Sequence, residues 1–268
     1  MIKLLGLPTD INSSFIRGPA AAPDAIRQVA NSGSSNFYSE DGSKIINNET
    51  YLDLGDMVYD ETLSSEAIHM EIVKKIEFEL DIGNKVIFLG GDHAVTYPII
   101  QAYAKQYTNL NILHFDAHPD LYHSFQNNPY SHASPFARIM ENKLARSLTQ
   151  VGIRTLDAHQ RNQVRKFGVT MVEMKDFNMD FINDLQGPLY ISIDLDALDP
   201  SCAPGVSHHE PGGINMRDML TIIQSISVPI VGADIVEYNP SRDINNMTAM
   251  VAYKLFKELL AKLLTDNK

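Results

Sequence analysis

The chain has 268 residues, 44% of them hydrophobic, and a formal net charge of −11. Its length suits one large α/β domain with a sizeable core, and no linker divides it, so a single domain over residues 1–268 is expected. The acidic balance argues against nucleic acid or an anionic membrane as partner, the lone Cys202 excludes an internal disulfide, and Met1–Pro8 lacks the apolar run of a signal peptide, so a cytoplasmic enzyme is the expectation.

Strand-like apolar runs recur at Ile2–Leu7, Tyr51–Leu54, Lys85–Leu89, Asn111–Phe115, Leu148–Ile153, Val169–Val172, Leu189–Leu195 and Pro229–Val236. Between most of them, Pro23–Ala30, Ser65–Leu80, Tyr97–Tyr107, Ala158–Phe167, Met216–Ile226 and Thr248–Leu264 carry apolar residues at helical spacing. Alternation of this kind predicts an α/β fold, a three-layer αβα sandwich with a mostly parallel central sheet. Two stretches lack periodicity and read as irregular loops: Leu121 to about Ser134, suited to selecting a substrate, and Asp199–Gly213, suited to forming the opposite wall.

The chemistry lies at strand ends, in GGDH (Gly90–His93), HFDAHPD (His114–Asp120) and ISIDLDALDP (Ile191–Pro200). If strand alternation continues through these motifs, Asp116, His118 and Asp120 point one way, as do Asp194 and Asp196. With His93 they form a set of carboxylates and imidazoles suited to borderline or hard divalent ions such as manganese rather than to thiolate-bound zinc. Aspartates at strand ends also serve as turn formers and helix caps. Burying this many without cations is prohibitive, however, so the metal reading is preferred. Ligands of parallel sheets gather beyond the carboxyl ends of the strands, where His93, Asp116, Asp194 and Glu237 all fall. Two adjacent cations lower the proton affinity of water and supply a nucleophile at neutral pH.

In order, GGDH, DAHPD, SHASPFARIM, SIDLDALDP and VEYNP resemble the signature segments of the manganese ureohydrolases, the family of arginases and agmatinases. The resemblance runs from GPAAAPDAIR at Gly18–Arg27 to MTAMVAYKL at Met247–Leu255, and APGVSHHEPGG and SHASPFARIM resemble the plant-type arginase branch. It implies an arginase-like fold with two manganese ions per chain, cobalt or nickel being able to support turnover, and a homotrimer or homohexamer. By the same resemblance, His93 and Asp120 bind one metal, His118 and Asp196 the other, and Asp116 and Asp194 bridge them. His132 matches the family's proton-shuttling histidine, a role its near-neutral titration suits, although Ala133 stands where family members commonly have glycine. Glu237 matches the carboxylate that takes a guanidinium through paired charge-assisted hydrogen bonds. Asn128 and Ser131 fall where arginases recognise the α-carboxylate and Asp157 near the α-amino position; Asn128 and Asp157 also have turn-forming explanations. Asp234 reads as a structural or supporting acid, and His123, His208 and His209 as loop histidines.

The implied reaction is hydrolysis of a small cationic guanidino substrate, arginine to ornithine and urea. Agmatine to putrescine and urea, or cleavage of another guanidino compound, stays open because the metals and guanidinium anchor serve all of them. A metal-dependent deacetylase is a more distant alternative, against which VEYNP and two complete acidic motifs argue. A metal-bound assembly protein without catalysis is disfavoured by the retention of His132 and Glu237 beside the full ligand set.

Overall fold

The computed structural model describes residues 1–60 and 62–265; Glu61 and the last three residues of the domain expected over 1–268 lie outside the described residues. Its strands are β1 (Ile2–Leu7), β2 (Leu52–Asp56), β3 (Lys85–Gly90), β4 (Asn111–Phe115), β5 (Ser147–Ile153), β6 (Thr170–Glu173), β7 (Leu189–Asp194) and β8 (Ile230–Val236). They form one sheet in the order β2-β1-β3-β8-β7-β4-β5-β6, and every pairing is parallel. The helices are α1 (Ala22–Asn31), α2 (Ser65–Asp81), α3 (Thr96–Gln106), α4 (Pro135–Glu141), α5 (Ala158–Phe167), α6 (Met216–Ser225) and α7 (Met247–Thr265).

The central strands are buried almost throughout, which is why they read as largely apolar runs, with buried polar exceptions such as His114, Ser192 and Asp234. Their side chains divide between two cores. Leu4, Ile87, Leu89, Leu113 and Phe115 pack with residues of α1, α6 and α7, such as Ile26, Ile223 and Phe256. The alternating Leu5, Val86, Phe88 and Ile112 pack with residues of α2, α3 and α4, such as Ile76, Ile99 and Phe136. The expected αβα sandwich is therefore present. Caps fix several helix starts: Ser64 accepts from Ala67 N–H, Asp157 from Gln160 N–H and Asn215 from Asp218 N–H. Helix α4 is not among the expected elements, because seven residues beginning with a proline are too few to display a periodic apolar stripe.

Two features of this topology build the site. The last two strands insert between β3 and β4, so consecutive strands leave in opposite directions around a central crevice. Register then aligns the strand ends, with Leu89 opposite Ile235, Ile235 opposite Ile193 and Ile193 opposite Phe115. The residues immediately beyond these positions meet. Gly91 permits a further approach: a Cβ there would lie 1.9 Å from the carbonyl oxygen of Thr9, so only glycine lets the loop after β1 rest against the loop after β3.

Candidate metal centre

Asp116 is the first residue beyond β4, and the chain turns at once rather than continuing as strand. Its Oδ1 accepts from His118 N–H at 2.6 Å, and Asp120 sits at φ 51 in the left-handed region. Asp194 ends β7, and its Oδ1 accepts from the N–H of Asp196 at 2.8 Å as the backbone enters the 3₁₀ turn Leu195–Ala197. The same-face expectation from strand alternation is thus corrected. The side chains converge through tight turns, each held by an aspartate accepting a backbone N–H two residues on.

Nδ1 of His93 lies 3.2, 3.1 and 3.2 Å from the Oδ2 atoms of Asp116, Asp120 and Asp194. Nδ1 of His118 lies 3.3 Å from Oδ1 of Asp116 and 3.1 Å from Oδ2 of Asp196. Asp116 therefore offers one oxygen to each group. Separations of ~3 Å are what ligand atoms adopt around a divalent ion held at ~2.1 Å. His93 Nδ1 is buried and makes no hydrogen bond, despite the three oxygens around it. An imidazole lone pair and carboxylates aimed at one point without bonding to each other fit a cation.

The electrostatics agree. Burial, then the charges of Asp196 and Asp116, push Asp194 well above the ordinary carboxylate range, and burial with Asp116 pushes Asp120 up to about 6. Burial also raises Asp116, but the neighbouring His114, His118 and His93 rings outweigh it and hold this carboxyl well below its usual value. Burial opposes charge on His93 and His118, yet the surrounding aspartates lift both well above the imidazole range. The cluster demands positive charge between its rings and carboxylates, which divalent ions supply.

Outer contacts fix the rings. His93 Nε2 lies 3.0 Å from Ser192 Oγ, which donates to Asp234 Oδ1 at 2.7 Å, while Tyr190 and Thr96 donate to the other Asp234 oxygen. This relay places the proton on Nε2 and leaves Nδ1 free to ligate. Asp234 is thus a supporting acid, as expected. His114, which the sequence reading left without a role, has its Nε2 2.9 Å from Asp116 Oδ2, and Gln150 Nε2 donates to its Nδ1 at 2.9 Å. Both ring nitrogens are occupied, making His114 a donor to Asp116 rather than a further ligand.

A cavity of about 390 Å³ opens over this cluster, with His118, Asp120, Asp194, Asp196, His132 and Glu237 in its walls. Glu237 follows β8 at φ 62 and is buried; its Oε1 accepts from His93 N–H at 2.9 Å and pairs with His132 Nδ1 at 2.8 Å. Asp157 borders the same cavity, although one of its oxygens caps α5 and the other accepts from Tyr122 OH at 3.0 Å. Asn128 and Ser131 are placed differently from the direct substrate contacts expected, for neither is in the cavity wall. The Asn128 amide is taken up within the loops, donating to Asn12 Oδ1 at 3.1 Å and accepting from Tyr130 N–H at 2.9 Å, and Ser131 Oγ accepts from Ala133 N–H at 3.3 Å. Ser14 and Thr155 line the cavity and were not anticipated, while His208 lines it from the Asp199–Gly213 loop expected to form one wall. The strand-end rule, extended to the loops after β1 and β5, points to Ser14 and Thr155.

Fold and cluster together define an α/β enzyme with a centre suited to divalent ions. A model of the Arginase family matches residues 1–261. The mitochondrial arginase 1 of Arabidopsis thaliana is 44% identical over 279 residues, spanning 97% of this chain and 80% of that protein. The agmatinase of Bacillus anthracis is 32% identical over 97% of this chain and 90% of its own length. Among solved structures, the arginase from Medicago truncatula superposes with a TM-score of 0.92 at 43% identity, covering 98% of this chain and 87% of that one. The chain belongs to the arginase family, whose members are binuclear metal enzymes.

The names of the plant relatives also correct the cytoplasmic expectation. Those of the Arabidopsis thaliana, Medicago truncatula and Oryza sativa arginases are mitochondrial, or chloroplastic and mitochondrial, and point away from the cytoplasm. The physical flaw is plain: organelle addresses are amphipathic and rich in Arg and Ser, so the missing apolar run at Met1–Pro8 carries no information against them.

Proposed function

We propose that this chain hydrolyses L-arginine to L-ornithine and urea. The observation that carries the reading is the Glu237–His132 pair standing in one cavity with the metal cluster. Oε1 of Glu237 is engaged by His93 N–H and His132, so Oε2 is the oxygen left to receive a guanidinium N–H. His132 holds the proton that the departing amine needs: burial opposes its charge, but Glu237 lifts it to about 9. His93, Asp116, Asp120, Asp194, His118 and Asp196 would hold two manganese ions, which would supply a nucleophilic water at neutral pH. Arginine is preferred over agmatine because the plant arginases at 43–45% identity resemble this chain more than the agmatinase at 32% does.

Within this reading Asp157 receives the substrate α-ammonium at the cavity rim, while Asn128 and Ser131 act by shaping the loop rather than by contact. Assembly as a homotrimer or homohexamer belongs to the same proposal, supported by the family resemblance, as does the absence of nucleic-acid or membrane partners, supported by the net charge of −11. The test is urea and amine release by manganese-loaded protein from arginine, agmatine, guanidinobutyrate and an acetyl-lysine peptide. Arginine should give the highest kcat/KM, with ornithine formed in equal amount to urea. Preference for agmatine, or no urea from arginine, would overturn the assignment.

A further inference from the structure

The loop between β1 and α1 is clamped against the centre at several points. Asn12 N–H and Ser13 Oγ donate to Asp92 Oδ2 at 2.9 and 3.3 Å, and the Asn12 carbonyl accepts from His132 N–H at 3.2 Å. Asn12 Oδ1 accepts from both Asn128 Nδ2 and Ser65 Oγ at 3.1 Å. What this clamp delivers is Ser14, which lines the cavity with its Oγ 2.7 Å and its backbone N–H 3.1 Å from Nε2 of His132.

His132 is therefore engaged at both ring nitrogens. Nδ1 faces Glu237, which is already tied to the backbone of His93, so a proton leaving for the cavity must depart from Nε2. Ser14 is the group on that nitrogen. Its backbone N–H aims at the Nε2 lone pair and so favours the neutral ring with the proton on Nδ1. When Nε2 is protonated that N–H opposes it, and Oγ becomes the acceptor. The serine thus both receives from His132 and weakens its hold on the proton.

We propose that the Ser14 hydroxyl relays the proton between His132 and the departing amine, an inference that rests on the guanidino-hydrolase reading above. As the carbon–nitrogen bond breaks, its electron pair passes to the leaving nitrogen. The Oγ–H proton transfers to that nitrogen while the Nε2–H proton of the imidazolium moves to Oγ. The hydroxyl is restored, the imidazole ends neutral, and one proton has been transferred overall.

The experiment compares Ser14→Ala and Ser14→Thr with wild type, using arginine and its guanidinooxy analogue, whose leaving nitrogen is far less basic and needs less acid assistance. Metal content is measured throughout. Ser14→Ala should keep its metal and KM but lose about 100-fold in kcat on arginine, with a much smaller loss on the analogue, and Ser14→Thr should recover most of the loss. An unchanged kcat, or an equal loss on both substrates, overturns the relay and leaves Ser14 orienting the ring alone. If wild type releases urea from another guanidino compound but not arginine, the substrate assignment fails and the relay is tested on that compound. No turnover of any guanidino compound removes both.

Discussion

Oδ2 of Asp116 lies 3.2 Å from Nδ1 of His93. The other oxygen of the same carboxylate faces His118 at 3.3 Å, whereas Asp120 approaches only His93 and Asp196 only His118 among the ring nitrogens. Asp116→Asn should therefore strip both ions, while Asp120→Asn or Asp196→Asn each weakens one. Elemental analysis after gel filtration checks this, and retention of two ions by Asp116→Asn would refute the shared-ligand geometry.

Gln150 governs the same carboxylate from further away. By donating to His114 Nδ1 and to the Pro119 carbonyl at 2.6 Å, it keeps the His114 proton on Nε2, where it serves Asp116. Gln150→Leu should lower metal affinity about 10- to 100-fold while the chain stays folded. Chelator competition measures the effect, and wild-type affinity in the variant would show that the tautomer does not matter.

Asp157 combines a helix cap with a place at the cavity rim, and two substitutions separate these functions. Asp157→Ala should cost about 1 kcal/mol of stability by removing the cap and also erode the arginine-over-agmatine preference. Asp157→Ser can still cap α5, so it should restore stability but not selectivity. Chemical denaturation and the ratio of kcat/KM values report the two effects independently. If Ser restores both, the carboxylate does not read the substrate.

At the protein surface, hydrogen bonds from Arg217 and Gln224 hold the carboxyl of Glu40 below its ordinary 4.5, at about 2. Because the folded-state value is depressed, the stabilisation is full above the unfolded value and is lost as pH falls through the folded one. Glu40→Gln should thus be less stable than wild type at neutral pH, by at most about 1 kcal/mol for a partly exposed pair. The gap should narrow as pH drops from about 5 toward about 3. Unfolding curves of both proteins across that range test it; a constant gap would mean that the Glu40 charge contributes nothing.

Much of this protein is determined locally and can be read from the chain. Runs such as Lys85–Leu89 and Asn111–Phe115 announce buried parallel strands because a strand covered on both faces has few polar positions and no alternating polar face. Acidic residues packed at the ends of such strands announce cations because their charge cannot be buried alone. What tertiary structure decided is how the side chains meet. Alternation was the wrong reason for the convergence of Asp116, His118 and Asp120, since the directions of these residues come from turns and from the left-handed backbone at Asp120. Register between β3 and β8 brings Glu237 beneath His93, 144 positions away in the chain. The loop of Ser14 is aperiodic, and its site follows from the buried carboxylate of Asp92 and the backbone of His132. No local pattern encodes such contacts, because each is satisfied by a partner that only the folded sheet brings within reach.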